Sequence, residues 1–225
     1  MTSLDAVRAR FTRSAGLPFA DVMTEANILD VLNEHGVTYR DRVFGPVTTI
    51  WGFLSQVLSD DHSCRDTVSR IIAHRVAKGV PVCSPNTASY CKARNRILTP
   101  VFRTLATRTA EELQASVADA WKWNGRSVFI VEGSHVSMPD TPENQAVYPQ
   151  PPTQQAGLGF PLARIAVLLS LATGAGHDLT IAPYEGKGTG ETTLLRAMLP
   201  NQARNSRSNS SSLTKSLTRG GDPNR

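Results

Sequence analysis

The spacing of apolar residues changes once along this sequence, near Trp121, and that change constrains the fold more than any other feature. Upstream, apolar positions recur at the three- and four-residue intervals of amphipathic helices. Downstream they gather into short β-branched runs bounded by glycine. Helices followed by strands, rather than alternating with them, specify an α+β chain.

The helical signals are local and mostly come in pairs. Thr24 precedes Ile28, Leu29, Val31 and Leu32, and the periodic stretch stops at Gly36, which predicts a helix capped at both ends. Residues 47–58 predict a second, with Ile50, Trp51, Leu54 and Leu58 on one face. Ser63 and Asp66 resemble a capping box. They open a third helix, which carries Val68, Ile71, Ile72 and Val76 and is closed by Gly79 and Pro81. Ser84-Pro85 predicts a start with proline at the first helical position, and a helix to about Leu98. Thr109 followed by Glu112 predicts one more, reaching Trp121.

Past Trp121, residues 127–131 (SVFIV) predict a strand that ends on Glu132-Gly133. The segment 139–161 is too polar and proline-broken for regular structure, and loops of that length are functional or mobile. Residues 162–173 fit strand or helix by length; Ile165, Val167 and the turn sequence GAGHD favour strand. Residues 179–182 complete a hairpin across 174–178, and a helix is expected from Glu191 to Leu199. The glycine-rich stretch 186–190 invites comparison with a phosphate-binding loop. Placing its GK on Gly186-Lys187 puts Ile181 where the first glycine belongs and Gly188 where the hydroxyl belongs, so the motif fails at both ends. A strand-to-helix connection with Thr189 near the cap fits better.

Charge is distributed unevenly. Residues 60–108 hold nine Lys/Arg against Asp60, Asp61 and Asp66, a net +6, while residues 109–199 carry −4. Arg75 and Lys78 lie three apart and Lys92 and Arg96 four apart, so each pair is expected on one helix face, with Arg94 beside the second. Such a face can neutralise DNA phosphates, or it is an ordinary solvated surface; spacing leaves both open. His62, Cys64, His74, Cys83 and Cys91 fall in the same block without CxxC or HxxxH spacing, which favours buried thiols and surface histidines over zinc. Three cysteines make no disulfide framework, the N-terminus has no signal-peptide pattern, and the longest apolar run, 165–169, is too short to span a bilayer. A soluble cytoplasmic protein with no membrane partner is expected. Residues 200–225, rich in Ser, Asn and Arg, are expected to be a disordered basic tail.

Three blocks, VEGSHVSMPDTPENQAVYPQP, GLGFPLARIAVLLSLATGA and APYEGKGTGETTLLRAML, closely resemble bacterial insertion-sequence DDE transposases of the IS-four group. SCRDTVSRIIAHRVAKGVPVCSPNTASYCKARNRI resembles the helical N-terminal region of the same proteins, and the resemblance spans residues 50–199. It implies an α+β chain in which a helical DNA-binding region precedes an incomplete ribonuclease-H-like domain of three antiparallel strands and a helix. The segments would be 1–23 (N-terminal), 24–125 (helical), 126–199 (start of the catalytic domain) and 200–225 (a tail from a shifted reading frame).

Such transposases carry three acids that hold two Mg²⁺ ions, which activate water or a DNA 3′-hydroxyl. Glu132 takes the first acid's place, where relatives carry Asp, and is the expected catalytic and metal-binding residue; the second and third acids are absent. Its extra methylene moves the carboxylate by about 1.5 Å, and Mg²⁺ tolerates little error at bond lengths of about 2.0–2.1 Å. The implied partners are transposon terminal repeats, contacted by Arg75, Lys78, Lys92, Arg94 and Arg96, and a full-length transposase. The expected function is therefore that of a truncated transposase-family chain inactive in strand cleavage. The alternatives are a non-cutting DNA-binding remnant that competes for transposon ends, or a relic without function. With the central strand missing, the hairpin edge and the apolar face of the 191–199 helix are expected to lack partners.

Overall fold

The computed structural model of the chain describes residue 17, residues 23–155 and residues 157–198. The expected basic tail and nearly all of the expected N-terminal segment lie outside these. The chain divides into two compact units, Met1–Thr109 and Ala110–Arg225. It is α+β, with helices in the first part and a small antiparallel sheet in the second. Among the described residues no helix is long and apolar enough to cross a membrane.

In the first unit two of the predicted N-caps form, Thr24 and Ser63. α1 (Glu25–Glu34) starts where the Thr24 hydroxyl accepts the Asn27 N–H, and it ends before Gly36, whose φ of +63° suits glycine. α2 (Pro46–Leu58) opens on proline, as helix starts favour. α3 (Cys64–Ala77) is capped by the Ser63 hydroxyl, which accepts the Asp66 N–H at 3.1 Å. The Asp66 carboxylate does not close a capping box; it accepts from the Ser59 hydroxyl and from Arg70 Nε, both at 2.8 Å. α4 (Ala88–Arg94) and α5 (Thr99–Ala115) follow.

Two helix boundaries differ from the sequence reading. α4 starts at Ala88 rather than beside Pro85, because Ser84 Oγ and Asn86 Oδ1 take the backbone N–H groups of Asn86 and Ala88 in a local turn. Its end is Arg94, not Leu98. Thr109 lies inside α5, donating its hydroxyl to the Leu105 carbonyl one turn back, so its capping signature is overridden. Residues 119–121 form a separate single 3-10 turn.

Ile28, Val31, Leu32, Ile50, Val68, Ile71, Tyr90 and Val101 make the core of this unit, each at most 1% exposed. Burying such side chains stabilises by about 1.5–3 kcal/mol apiece. Gly52 lets α2 approach α3: a Cβ there would meet Ile71 Cδ1 at 3.0 Å. Tyr90 donates its hydroxyl to Gln56 Oε1 at 2.8 Å, and burial pushes its phenol up to about 12.

The second unit contains β1 (Phe129–Ser137), α6 (Pro142–Val147), β2 (Leu162–Ser170) and β3 (Gly176–Pro183), the strands antiparallel in the order β1-β2-β3. A last helix, α7, covers residues 191–198. β1 does not stop at Glu132. It pairs with β2 over its whole length, from Phe129↔Ser170 to Ser137↔Leu162, because the nine-residue β2 offers ladder partners past the glycine. β3 begins at Gly176, so His177 and Asp178 belong to the strand rather than the turn.

The proline-rich segment is more regular than its composition predicts. Thr141 caps α6 by accepting the Asn144 N–H, with Pro142 at the start of the helix. Glutamine side chains replace a backbone ladder beyond it. Gln150 Oε1 accepts from the amides of Gly157 and Gly159, and Gln145 Oε1 accepts from that of Gln150. The expected lack of a partner for α7 is also overturned: Leu194 and Met198 pack on Ala166 and Leu168 of β2, joined by Val131 and Ala182. The opposite sheet face remains open, with Ile130, Leu179 and Ile181 each more than 40% exposed.

Candidate functional site

Glu132 lies in the middle of an edge strand, exposed and opposite Val167. Alternation along the strand fixes its side. Val131 packs toward α7, and a Cβ on Gly133 would meet the Glu191 carboxylate at 2.6 Å, so residues 131 and 133 face the helix. Glu132 therefore projects onto the open apolar face, with Val167 and Leu179 across the ladder. Glu191 rests on the other face, as do His135 and Arg164. The Arg164 guanidinium lies 5.5 Å from the centre of the Tyr184 ring, and Arg164 Nη1 donates to the Thr189 carbonyl at 3.2 Å. Glu132 and Glu191 thus lie on opposite sides of one sheet.

Among the described residues, no group of three or more His, Cys, Asp or Glu side chains could hold a metal ion. Mg²⁺ demands about six oxygen ligands in near-octahedral geometry and usually takes one or two carboxylates with water and phosphate oxygens. Glu132 presents one carboxylate. One carboxylate alone does not fill such a ligand set.

The predicted DNA-binding cations are not one cluster. Cys91 Sγ lies 3.6 Å from Cys64 Sγ, which sets α4, and hence Lys92, beside the start of α3. Arg75 is eleven residues further along that helix, about 16 Å at 1.5 Å per residue. Lys78 ends the helix as its C-cap. Arg75 donates its Nε to the Pro81 carbonyl at 2.7 Å and so braces the turn after α3. Arg94 is half-buried, its Nη1 donating to Gln56 Oε1 at 3.0 Å beside the Tyr90 hydroxyl. Arg96 lies past the end of α4, so it does not share a helix face with Lys92 as four-residue spacing predicts. Lys78, Lys92 and Arg96 are exposed and have no carboxylate partner among the described residues.

Positive charge at the end of α3 is felt locally. Burial first, then Lys78 and Arg75, hold His74 below the usual imidazole range. Arg70 and Arg108, by contrast, are paired with Asp66 and with Asp30 and Glu34. Sequence reasoning passed over the exposed Arg65, on the first turn of α3, and over Arg40 and Arg42; the unremarkable charge of residues 1–59 gave no signal for the latter two.

Set against protein-family models, curated proteins and solved structures, the chain matches none.

Proposed function

We propose that this chain is a transposase-type DNA-binding protein whose helical unit engages DNA phosphates and whose sheet unit is the start of a ribonuclease-H-like domain. The observation that carries the reading is the set of exposed cations without carboxylate partners, Lys78, Lys92 and Arg96, on a stretch with a surplus of +6. The blocks quoted above, which resemble IS-four transposases, supply the class of DNA, the terminal repeats of a mobile element. The order of three antiparallel strands followed by a helix supports the ribonuclease-H-like part. A full-length transposase synapsed on the same ends is the proposed protein partner.

The chemistry is binding rather than cutting. Lys and Arg displace condensed counterions from phosphates, so affinity falls with salt by about 0.9 log unit per contact per log unit of salt. Arg75 and Arg94 act as positioning residues, since their forks are tied to the Pro81 carbonyl and to Gln56. Strand cleavage would require carboxylates beyond those the described residues bring together around Glu132.

Fluorescence anisotropy on a labelled terminal-repeat duplex tests this across a salt series. The wild type is expected to bind with a steep salt slope. Substituting Lys78→Ala, Lys92→Ala and Arg96→Ala together is expected to reduce the slope by about 3, whereas Glu132→Ala leaves binding unchanged. A triple variant that binds like the wild type would refute the proposal. So would Mg²⁺-dependent nicking that is lost in Glu132→Ala.

A further inference from the structure

The first unit contains a cavity of about 510 Å³ that the DNA-binding reading touches only at Arg96. It lies between the start of α2, the loop after α1 and the turn after α4, and its lining divides by chemistry. Three arginines reach it from separate places, Arg40 and Arg42 from the loop and Arg96 from the turn, all exposed. No carboxylate lines it; Asp41 is exposed and off the lining. None of the three guanidinium groups has an ion-pair partner among the described residues. The rest is mostly apolar and aromatic apart from Thr38 and Thr49, with Leu32 buried, Phe44 half-buried and Tyr39 exposed.

Each half of that lining excludes a simple occupant. A purely apolar ligand would leave the three exposed guanidinium groups unused. A bare inorganic anion would leave the aromatic part unused. The volume falls within the roughly 300–1,000 Å³ of small-molecule sites, which combine an apolar lining with a few fixed polar groups. Guanidinium forks match phosphate oxygens in pairs and stack on planar rings.

We propose that this cavity is a nucleoside monophosphate site, with the phosphate held by Arg40, Arg42 and Arg96 and the planar base against Tyr39 and Phe44. The same chemistry is offered by a free mononucleotide and by a nucleotide in a single strand. The site stands on the cavity alone and holds whether or not the chain engages transposon ends.

Isothermal titration calorimetry of the full chain with deoxyadenosine monophosphate, deoxyadenosine and inorganic phosphate at one ionic strength tests it. The monophosphate is expected to bind about tenfold or more tightly than either fragment. Arg42→Ala with Arg96→Ala is expected to weaken it by about tenfold or more. Both side chains are exposed, so the far-ultraviolet circular dichroism should be unchanged. Tyr39→Ala should abolish the preference over inorganic phosphate, and Lys187→Ala, a charge loss in the other unit, should change nothing. Equal affinity for phosphate and nucleotide, no heat at millimolar ligand, or indifference to the arginine pair would each overturn the proposal. Competition then identifies the source. Displacement by an unstructured oligonucleotide supports a site for a strand, and failure to displace supports one for a free nucleotide.

Discussion

The helical unit and the sheet unit solve the burial problem differently. The first closes a cluster of eleven buried side chains from five helices and Leu17. The second's apolar cluster has four buried side chains among the described residues, Ala166 and Leu168 on one sheet face and Leu194 and Met198 on the α7 that covers it. Its other face shows Ile130, Leu179 and Ile181 to solvent. A helix can bury its apolar stripe against any neighbour, whereas a three-stranded sheet has two faces and two edges, and each needs a cover. Local sequence is therefore enough to begin the first unit, while the second depends on elements far apart in the chain.

The largest expected effect tests that contrast in the cores. Ile71→Ala should cost about 2–5 kcal/mol in urea unfolding, whereas Ile181→Ala on the open face should stay within about 0.5 kcal/mol. Comparable losses would mean the open face is covered in solution. Glycine contacts make a smaller version of the same comparison. Gly52→Val should cost about 1–3 kcal/mol because it drives into Ile71 and Thr67 between packed helices. Gly133→Ala should cost less, since the Glu191 side chain it meets can swing away; equal costs would show that Glu191 is fixed there.

The smallest effect is a pH dependence shared by both units. Burial, with nearby positive charge at His74 and alone at His177, holds both imidazoles below the usual value of 6.5. The unfolded chain then takes up protons first as pH falls, so stability is flat above about 6.5 and declines below it. Unfolding midpoints at pH 7.5 and 5.5 should fall in that order. The drop should shrink in His74→Gln and in His177→Gln, and a rise at pH 5.5 would reverse the sign.

Much of the helical unit was legible because its stops and starts are carried by single residues: Thr24 and Ser63 as caps, Gly36 and Gly79 as ends. Thr109 failed as a signal because the same hydroxyl can bond back along a helix that already exists. Gly133 failed for a different reason. Its low strand propensity was outweighed by pairing with β2, where the Glu191 side chain lies over it. In the candidate site, the sequence placed Glu132 on its strand but could not say which face it occupies. Nor could spacing show that Arg94 is committed to Gln56 on another helix, or that Arg40 and Arg42 meet Arg96 at one cavity.

Hydrogen exchange of the full chain, measured with and without a terminal-repeat duplex, tests the central claim most directly. Amides of residues 65–96 are expected to gain protection on binding DNA, while those of β1, β2 and β3 keep their free-state rates. Added protection around Glu132, with none on the helices, would contradict it.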